Sequence, residues 1–397
     1  MQLAFWKKKK QDPNKKKKPV WREWLDAALF AIIAATIIRT FFIEAYTIPT
    51  PSMEGSMLVN DFLFVSKTAY GPRIPNTPLA FPLVHNTMPV TGGKSYSESV
   101  HWKYKRLPGF GKVERNDVVV FNFPNGDTVV AEMPDRDYYE ICRNAGGREA
   151  VHSMYTIITR PVDKKENYIK RCIGLPGDKV QIIDGIVYIN DKAGELFPHS
   201  QMHYIIETKG GGFSQDFLEE NRIQFLEGSG NLYRLNIPND KLDLVRKSPN
   251  MVSMKLEQLP RNSTADMAFP QDPVHFQWNR DNYGPFIVPA KGATVSLNAS
   301  NIAFYRRIIA NYEGNKLEER DGKIFINDKE ATSYTFQMDY YWMMGDNRHD
   351  SADSRYFGFV PEDHVVGKAS FVWLSYEGSL FKLRWKRLLR SVSSLSH

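Results

Sequence analysis

One long apolar run opens the chain, and many short ones follow it. Residues 24–43 are predominantly apolar, and AALFAIIAATII at 27–38 holds twelve residues without a charge. Twenty residues at about 1.5 Å each reach roughly 30 Å, the depth of a bilayer core. The pattern predicts a single transmembrane helix over 21–44. Asp26 and Arg39 fall near its ends, where an arginine can extend to the interface, and Trp21 and Trp24 supply an aromatic belt. A cleavable signal peptide and a buried globular helix compete with this reading. No small-x-small site closely follows the run and eight lysines precede it, which favours an anchor.

The later runs are short and rich in β-branched and aromatic residues, so they predict strands. They include DFLFVSK at 61–67, NDVVVFNFP at 116–124 and YIKRCI at 168–173. KVQIIDGIVYIN at 179–190 reads as a hairpin turning at Asp184-Gly185. IDGIVYINDKAGE at 183–195 is echoed by RDGKIFINDKEAT at 320–332, as in a duplicated hairpin. Further strands are expected at 284–289, 293–297, 340–344 and 370–374, and a helix at 301–312. Residues 71–112 are full of proline, glycine and aromatics and predict an irregular excursion. The fold class expected is mostly β: an antiparallel-sheet body with an inserted β-rich lobe, behind one N-terminal transmembrane helix.

The domain plan follows. A lysine-rich arm occupies 1–20, the helix 21–44, and the first part of the core 45–195, interrupted by 71–112. An inserted lobe spans 196–318, the second part of the core 319–378, and a basic amphipathic tail 379–397. In that tail Phe381, Trp385, Leu388, Leu389 and Val392 recur at helical spacing, which suits a helix on anionic lipid, a solvated helix or one docked on the body.

Charge sharpens this picture. The net +7 resolves into +7 on residues 1–18, +5 on 380–397 and −5 over 19–379. The mildly acidic body argues against a nucleic-acid-binding domain. By the positive-inside rule the lysine arm stays cytoplasmic, which places everything after residue 44 outside. Cys142 and Cys172 are too few for a disulfide framework and lack metal-ligand spacing, leaving a pair or two free thiols equally open.

Two segments carry candidate chemistry. Ile48-Pro49-Thr50-Pro51-Ser52-Met53 holds a serine in a proline-stiffened loop just beyond the membrane segment. Lys170 lies on a largely apolar strand beside Arg171, so alternation turns one of the two cations towards apolar surroundings. A buried ammonium loses basicity, and such a lysine can take a proton from a serine. Alone, either segment reads as an ordinary turn or a solvent-facing lysine. Among the nine histidines only His349 lies in a strong motif, and a histidine in a polar loop reads as a surface residue. Asp346, Asp350 and Asp353 lack the ligand order of a calcium loop, so no metal and no cofactor is expected.

Taken together, IPTPSMEGSMLVNDFLFVSK at 48–67, NDVVVFNFP at 116–124, YIKRCIGLPGDKV at 168–180 and GDNRHDSADSRYFGFVP at 345–361 resemble the boxes of type I signal peptidase (leader peptidase). They occur in the order of that family, behind an N-terminal anchor, and cover roughly 60 residues. The resemblance implies that Ser52 is the nucleophile and Lys170 the general base. It implies an oxyanion hole made by the Ser52 amide and the Thr50 hydroxyl, where the family usually has serine. Pro51 replaces the usual glycine, and His349-Asp350 replaces Asp-Asn. Ser351 matches a serine that hydrogen-bonds the lysine, and Asp353 and Arg355 match a supporting ion pair. Tyr46, Ile48, Pro49, Met53, Met57, Leu63, Tyr168 and Ile169 would line the substrate groove.

The expected function is therefore a membrane-bound serine endopeptidase that removes signal peptides after small residues of the Ala-x-Ala type. An extended substrate can add to exposed strand edges, with shallow apolar pockets selecting alanine. The resemblance implies a bacterial inner-membrane location, with preproteins and the bilayer as partners and the secretion translocon as a further candidate. One alternative is a non-catalytic, single-pass binding protein on a peptidase-like fold. Another is a peptidase of the same type with a dedicated substrate.

Overall fold

The structure, a computed structural model, describes residues 19–124, 128–378 and 381–396. The lysine arm at 1–18 lies outside the described residues. The first element is α1 (Val20–Phe41), a 22-residue helix none of whose residues is buried. Its apolar side chains find no cover on the protein, and its length and composition suit it to cross a membrane.

The body is mostly β, as its alternating and β-branched runs predict. Strands β1 (Ile43–Thr47), β2 (Asp61–Ser66), β3 (Val118–Asn122) and β4 (Asn167–Gly174) lead into the hairpin β5 (Lys179–Ile183) and β6 (Ile186–Ile189). Then come β7 (Gln201–Thr208), β8 (Gln224–Ser229), β9 (Leu232–Pro238) and β10 (Met251–Leu256), followed by β11 (Tyr283–Ile287). The chain closes with β12 (Tyr340–Met344), β13 (Val360–Pro361), β14 (Val365–Ser375) and β15 (Arg390–Ser391).

The main sheet runs β1-β2-β14-β3-β4-β12-β13, with β15 on β14. The pairings of its described strands are all antiparallel. All five residues of β3 are buried, because apolar clusters cover both of its faces. One cluster gathers Ile48, Met53, Met57, Leu63, Val118 and Val120; the other gathers Val119, Phe121, Cys172 and Met343. The serine loop and the lysine strand are thereby packed into the same body.

Strands β8-β9-β7-β10 form a separate four-stranded sheet within the 196–318 stretch, around its own core of Ile206, Leu235, Ile237 and Val245. Residues 71–112 contain isolated bridges, such as Arg73 with Arg106 and Ala80 with Tyr96, but no strand among the described residues. The expected helix at 301–312 is α-helical over Ile302–Arg307 and continues as a wider π turn over Ile308–Tyr312.

The sequence echo is a structural one. Asp184-Gly185 and Asp321-Gly322 both turn with positive φ, as do Asn190-Asp191 and Asn327-Asp328. Asn190 Oδ1 accepts from Lys179 N and Asn327 Oδ1 accepts from Lys316 N in the same way. Cys142 and Cys172 are free, buried thiols in different core clusters.

The tail departs from expectation. Its described part contains no continuous amphipathic helix: a turn at Trp385–Arg387 is followed by β15 and a short helix at Val392–Ser396. Arg387 is buried and grips Asp61 with two nitrogens, at 2.5 and 3.1 Å, and Val392 packs into the cluster around Met53. A buried carboxylate on β2 draws the arginine inward, and the helical spacing yields to it.

Candidate active site

Ser52 sits in a single 3-10 turn, Pro51–Met53, that follows β1. Thr50 precedes the turn in an extended conformation, which is what a residue before proline prefers. Pro51 takes the first turn position, where its missing N–H is no loss and its fixed φ is already suitable. The substitution of proline for glycine therefore preorganises the loop. The Ser52 N–H falls in this first turn, where helical geometry offers it no acceptor. Thr50 Oγ1 lies 3.4 Å from Ser52 Oγ.

Lys170 reaches this loop from β4. Its Nζ donates to Ser52 Oγ at 2.7 Å and to the Ile169 carbonyl at 3.0 Å. Lys170 is 3% exposed and Ser52 8%, so the contact is nearly dry. Burial pulls the lysine down to about 8, against the opposing pull of the Asp353 and Asp346 carboxylates. Alternation along β4 predicts one buried cation, yet both are buried. Arg171 stacks 3.9 Å above the Phe197 ring and holds Asp346 with a bidentate pair at 2.6 and 2.8 Å. Arg171 also donates to Ser56 Oγ and Ser396 Oγ, tying the serine loop and the tail to one guanidinium.

The loop after β12 closes over the serine from the other side. Asn347 N donates to the Ser52 carbonyl at 3.2 Å, and Asn347 Nδ2 donates to the Pro51 carbonyl at 3.2 Å. Gly345 makes this approach possible: a Cβ there would stand 2.4 Å from the Ser52 carbonyl oxygen and 2.2 Å from Ser351 Oγ. Asp353 and Arg355 form the expected ion pair, buried and bidentate at 2.8 and 2.9 Å, and Asp353 also accepts from Gly345 N. Ser351 differs from its expected arrangement. Its hydroxyl is buried beside Gly345, makes no hydrogen bond to Lys170, and lies on the side of Asp353, whose carboxyl it helps hold below the usual range.

Several supporting residues carry no local signal in the sequence, because their partners arrive from the inserted stretch. Asn236 on β9 is fully buried and donates to Asn347 Oδ1 at 2.9 Å. Gln201 on β7 bridges Asn347 in parallel, accepting from Arg348 N and donating to the Asp346 carbonyl. His349 is not a surface histidine: its side chain is 1% exposed. His349 Nδ1 accepts from His203 N, so its Nε2 carries the proton and donates to Asp281 at 3.0 Å. Burial holds it neutral.

Each of the three acids with superficial metal-site spacing has its own partner: Arg171 for Asp346, His203 for Asp350 and Arg355 for Asp353. His203, Glu257 and His349 bring ligand atoms within 4.8 Å of one another. Arg234 and Arg280 lie against Glu257, and two guanidinium charges at that point oppose a divalent cation.

The expected groove residues separate into two groups. Tyr46, Pro49, Tyr168 and Ile169 are exposed or half-buried, whereas Met53, Met57 and Leu63 are completely buried and Ile48 nearly so. The second group forms a floor beneath the first. Strand edges border the site: among the described residues β1 pairs only with β2, and the 167–170 half of β4 pairs only with β3, since β12 takes Arg171, Cys172 and Gly174. Both open edges lead to the Ser52–Lys170 contact.

Comparison with known proteins gives this geometry a lineage. Residues 21–242 and 271–374 match the family model described as signal peptidase, peptidase S26. Signal peptidase I of Rickettsia felis is 26% identical over 370 residues, covering 92% of this chain and 83% of the relative. Signal peptidase I of Rickettsia prowazekii is 25% identical over 348 residues, covering 87% of this chain and 77% of the relative. The family match runs through the serine loop, the lysine strand and the loop that closes over them, so the chain belongs to the signal peptidase family, peptidase S26, and is a signal-peptide-removing peptidase.

Proposed function

We propose that the chain is a membrane-anchored Ser-Lys endopeptidase, with Ser52 as nucleophile and Lys170 as general base. The observation that carries this reading is the 2.7 Å contact between Lys170 Nζ and Ser52 Oγ in a nearly dry setting. A lysine lowered to about 8 is partly neutral near physiological pH, and a substrate lying over it removes more water and lowers it further.

Neutral Lys170 takes the Ser52 proton as Oγ attacks the scissile carbonyl carbon. The oxyanion that forms is held by the Ser52 N–H and the Thr50 hydroxyl. The lysine ammonium then gives its proton to the leaving amine, the C–N bond breaks, and an acyl-Ser52 ester remains. Water, deprotonated by the same lysine, attacks the ester and frees the serine. Asp353 and Arg355 brace the loop that bears on Ser52 from behind.

An extended substrate segment would add to the open edges of β1 and β4, with its small side chains beside Tyr46, Ile48, Pro49, Tyr168 and Ile169. Met53, Met57 and Leu63 set the depth of the floor, which favours alanine over larger residues. In this reading α1 spans the bilayer, the lysine arm remains cytoplasmic and the body acts outside on preproteins delivered by the secretion translocon. A non-catalytic role leaves the burial of a lysine against a serine without a purpose.

The test incubates the purified full chain with a panel of preproteins and sequences the N-termini of the products. Cleavage after Ala-x-Ala is expected, with Ser52→Ala and Lys170→Ala each folded yet slower by several orders of magnitude. Normal processing by either variant overturns the assignment.

A further inference from the structure

Where α1 meets the body, a cavity of about 190 Å³ opens. Its walls come from Thr36, Arg39 and Thr40 in the last turns of the helix, from β1, and from residues 73–85 of the irregular insertion. Four cations line it, Arg39, Lys67, Arg73 and Lys164, against two carboxylates, Glu44 and Asp163, which leaves +2. His85 adds nothing, because burial lowers its pKa and keeps it neutral.

The acids do not reach every cation. Glu44 is shared by Arg39 at 2.6 Å and Lys67 at 2.8 Å. Asp163 Oδ2 accepts from Thr77 N and Oγ1 instead. Arg73 ends on neutral acceptors, the Asp363 carbonyl and Asn122 Oδ1. Lys164 remains: it is 8% exposed and lines the cavity, and its ammonium forms no ion pair or hydrogen bond among the described residues. Its ammonium rests 5.4 Å from the Tyr96 ring centroid. The Asp163 and Glu44 carboxylates act on it only from a distance, burial lowers its basicity all the same, and the cavity has room for an anion in direct contact.

The position of the cavity selects the anion. Arg39 lies in the last turn of a helix long enough to span a bilayer, at headgroup height when the helix does so. Arg39 also donates to the Leu83 carbonyl, which fastens the insertion to the helix end. On that insertion Leu79, Phe81 and Leu83 are each more than half exposed. Apolar side chains beside a cationic cavity match acyl chains beside phosphates.

We propose that this cavity binds the phosphate of an anionic phospholipid headgroup, with Lys164 as its principal contact and the 79–83 segment entering the acyl layer. The proposal rests on the membrane-spanning reading of α1 and is independent of the Ser52–Lys170 assignment.

The test uses the full chain carrying Ser52→Ala, in uncharged detergent, with bound lipid counted by native mass spectrometry. The probes are a short-chain phosphatidylglycerol, a phosphatidylcholine of equal chain length, and inorganic phosphate. Phosphatidylglycerol is expected to bind about tenfold tighter than phosphatidylcholine, and Lys164→Gln to weaken it about fivefold. Lys164→Arg should restore binding, and Lys209→Gln, which removes an exposed charge elsewhere, should leave it unchanged. Removal of an unpaired buried cation should not unfold the chain, and circular dichroism of Lys164→Gln checks this. Equal binding of the two lipids, or unchanged binding by Lys164→Gln, overturns the proposal. So does full displacement by equimolar inorganic phosphate, which marks a free-anion site, or by a signal peptide, which assigns the cavity to substrate.

Discussion

Lys170 Nζ and Ser52 Oγ lie 118 positions apart in the chain and 2.7 Å apart in space, with burial holding the lysine at about 8. Only the neutral amine can accept the serine proton. kcat/KM for a preprotein should therefore rise about tenfold per pH unit below pH 8 and level off above it. A rate profile from pH 6 to 10 measures this directly. An inflection near 6.5, the ordinary range of histidine, would point to a different base.

The same burial has a cost in stability. The folded lysine titrates at about 8 against an ordinary 10.5, so the unfolded chain binds more protons between these values and stability rises with pH across that window. Below pH 8 the protonated lysine costs about 3 kcal/mol. Lys170→Met, similar in volume and uncharged, should be inactive yet more stable at pH 7 by about 2 kcal/mol once the bond to Ser52 is discounted. The advantage should fade by pH 10.5. Denaturant midpoints at the two pH values test it, and a less stable variant at pH 7 refutes it.

Asn236 couples the inserted stretch to the serine loop through Asn347, which donates to the Pro51 and Ser52 carbonyls. Asn236→Ala leaves Asn347 Oδ1 buried without that donor. The expected loss is about 1–3 kcal/mol of stability. Preprotein kcat should fall about tenfold with KM little changed, because Ser52 is displaced while the groove remains. A variant that loses stability but keeps full kcat would reduce Asn236 to a packing residue.

Arg387 donates to both oxygens of Asp61 and to the Ser56 carbonyl, joining the tail to the segment behind Ser52. Arg387→Ala strands a fully buried carboxylate and should cost about 3–5 kcal/mol. Arg387→Lys should recover little, since an ammonium cannot reproduce the fork. Chemical unfolding of the two variants distinguishes this from a solvent-facing tail, for which both changes would be nearly silent.

The parts of the site legible in the sequence are those whose chemistry is local. Residues 48–53 announce a rigid turn through their prolines, and 168–173 announce a strand with a lysine on it. The burial of Arg171 together with Lys170 was hidden, because it depends on Phe197 and Asp346 arriving from distant segments. Asn236 and His203 were hidden for the same reason: nothing adjacent to them in the chain hints at Asn347 or His349. The tail misled because helical spacing of Phe381, Trp385 and Leu388 describes a face but says nothing about Asp61 waiting on β2. Resemblance supplied Ser351 with a lysine partner that the packing beside Gly345 does not provide.

That glycine also bears on how this lineage can change. A methyl group at position 345 meets backbone on one side and a short side chain on the other, so no repacking absorbs it. Any side chain at 345 should therefore push the Ser52 carbonyl and Ser351 aside, and a chain that still folds with one should be inert. Such a position offers a geneticist a way to abolish turnover without touching either reacting group.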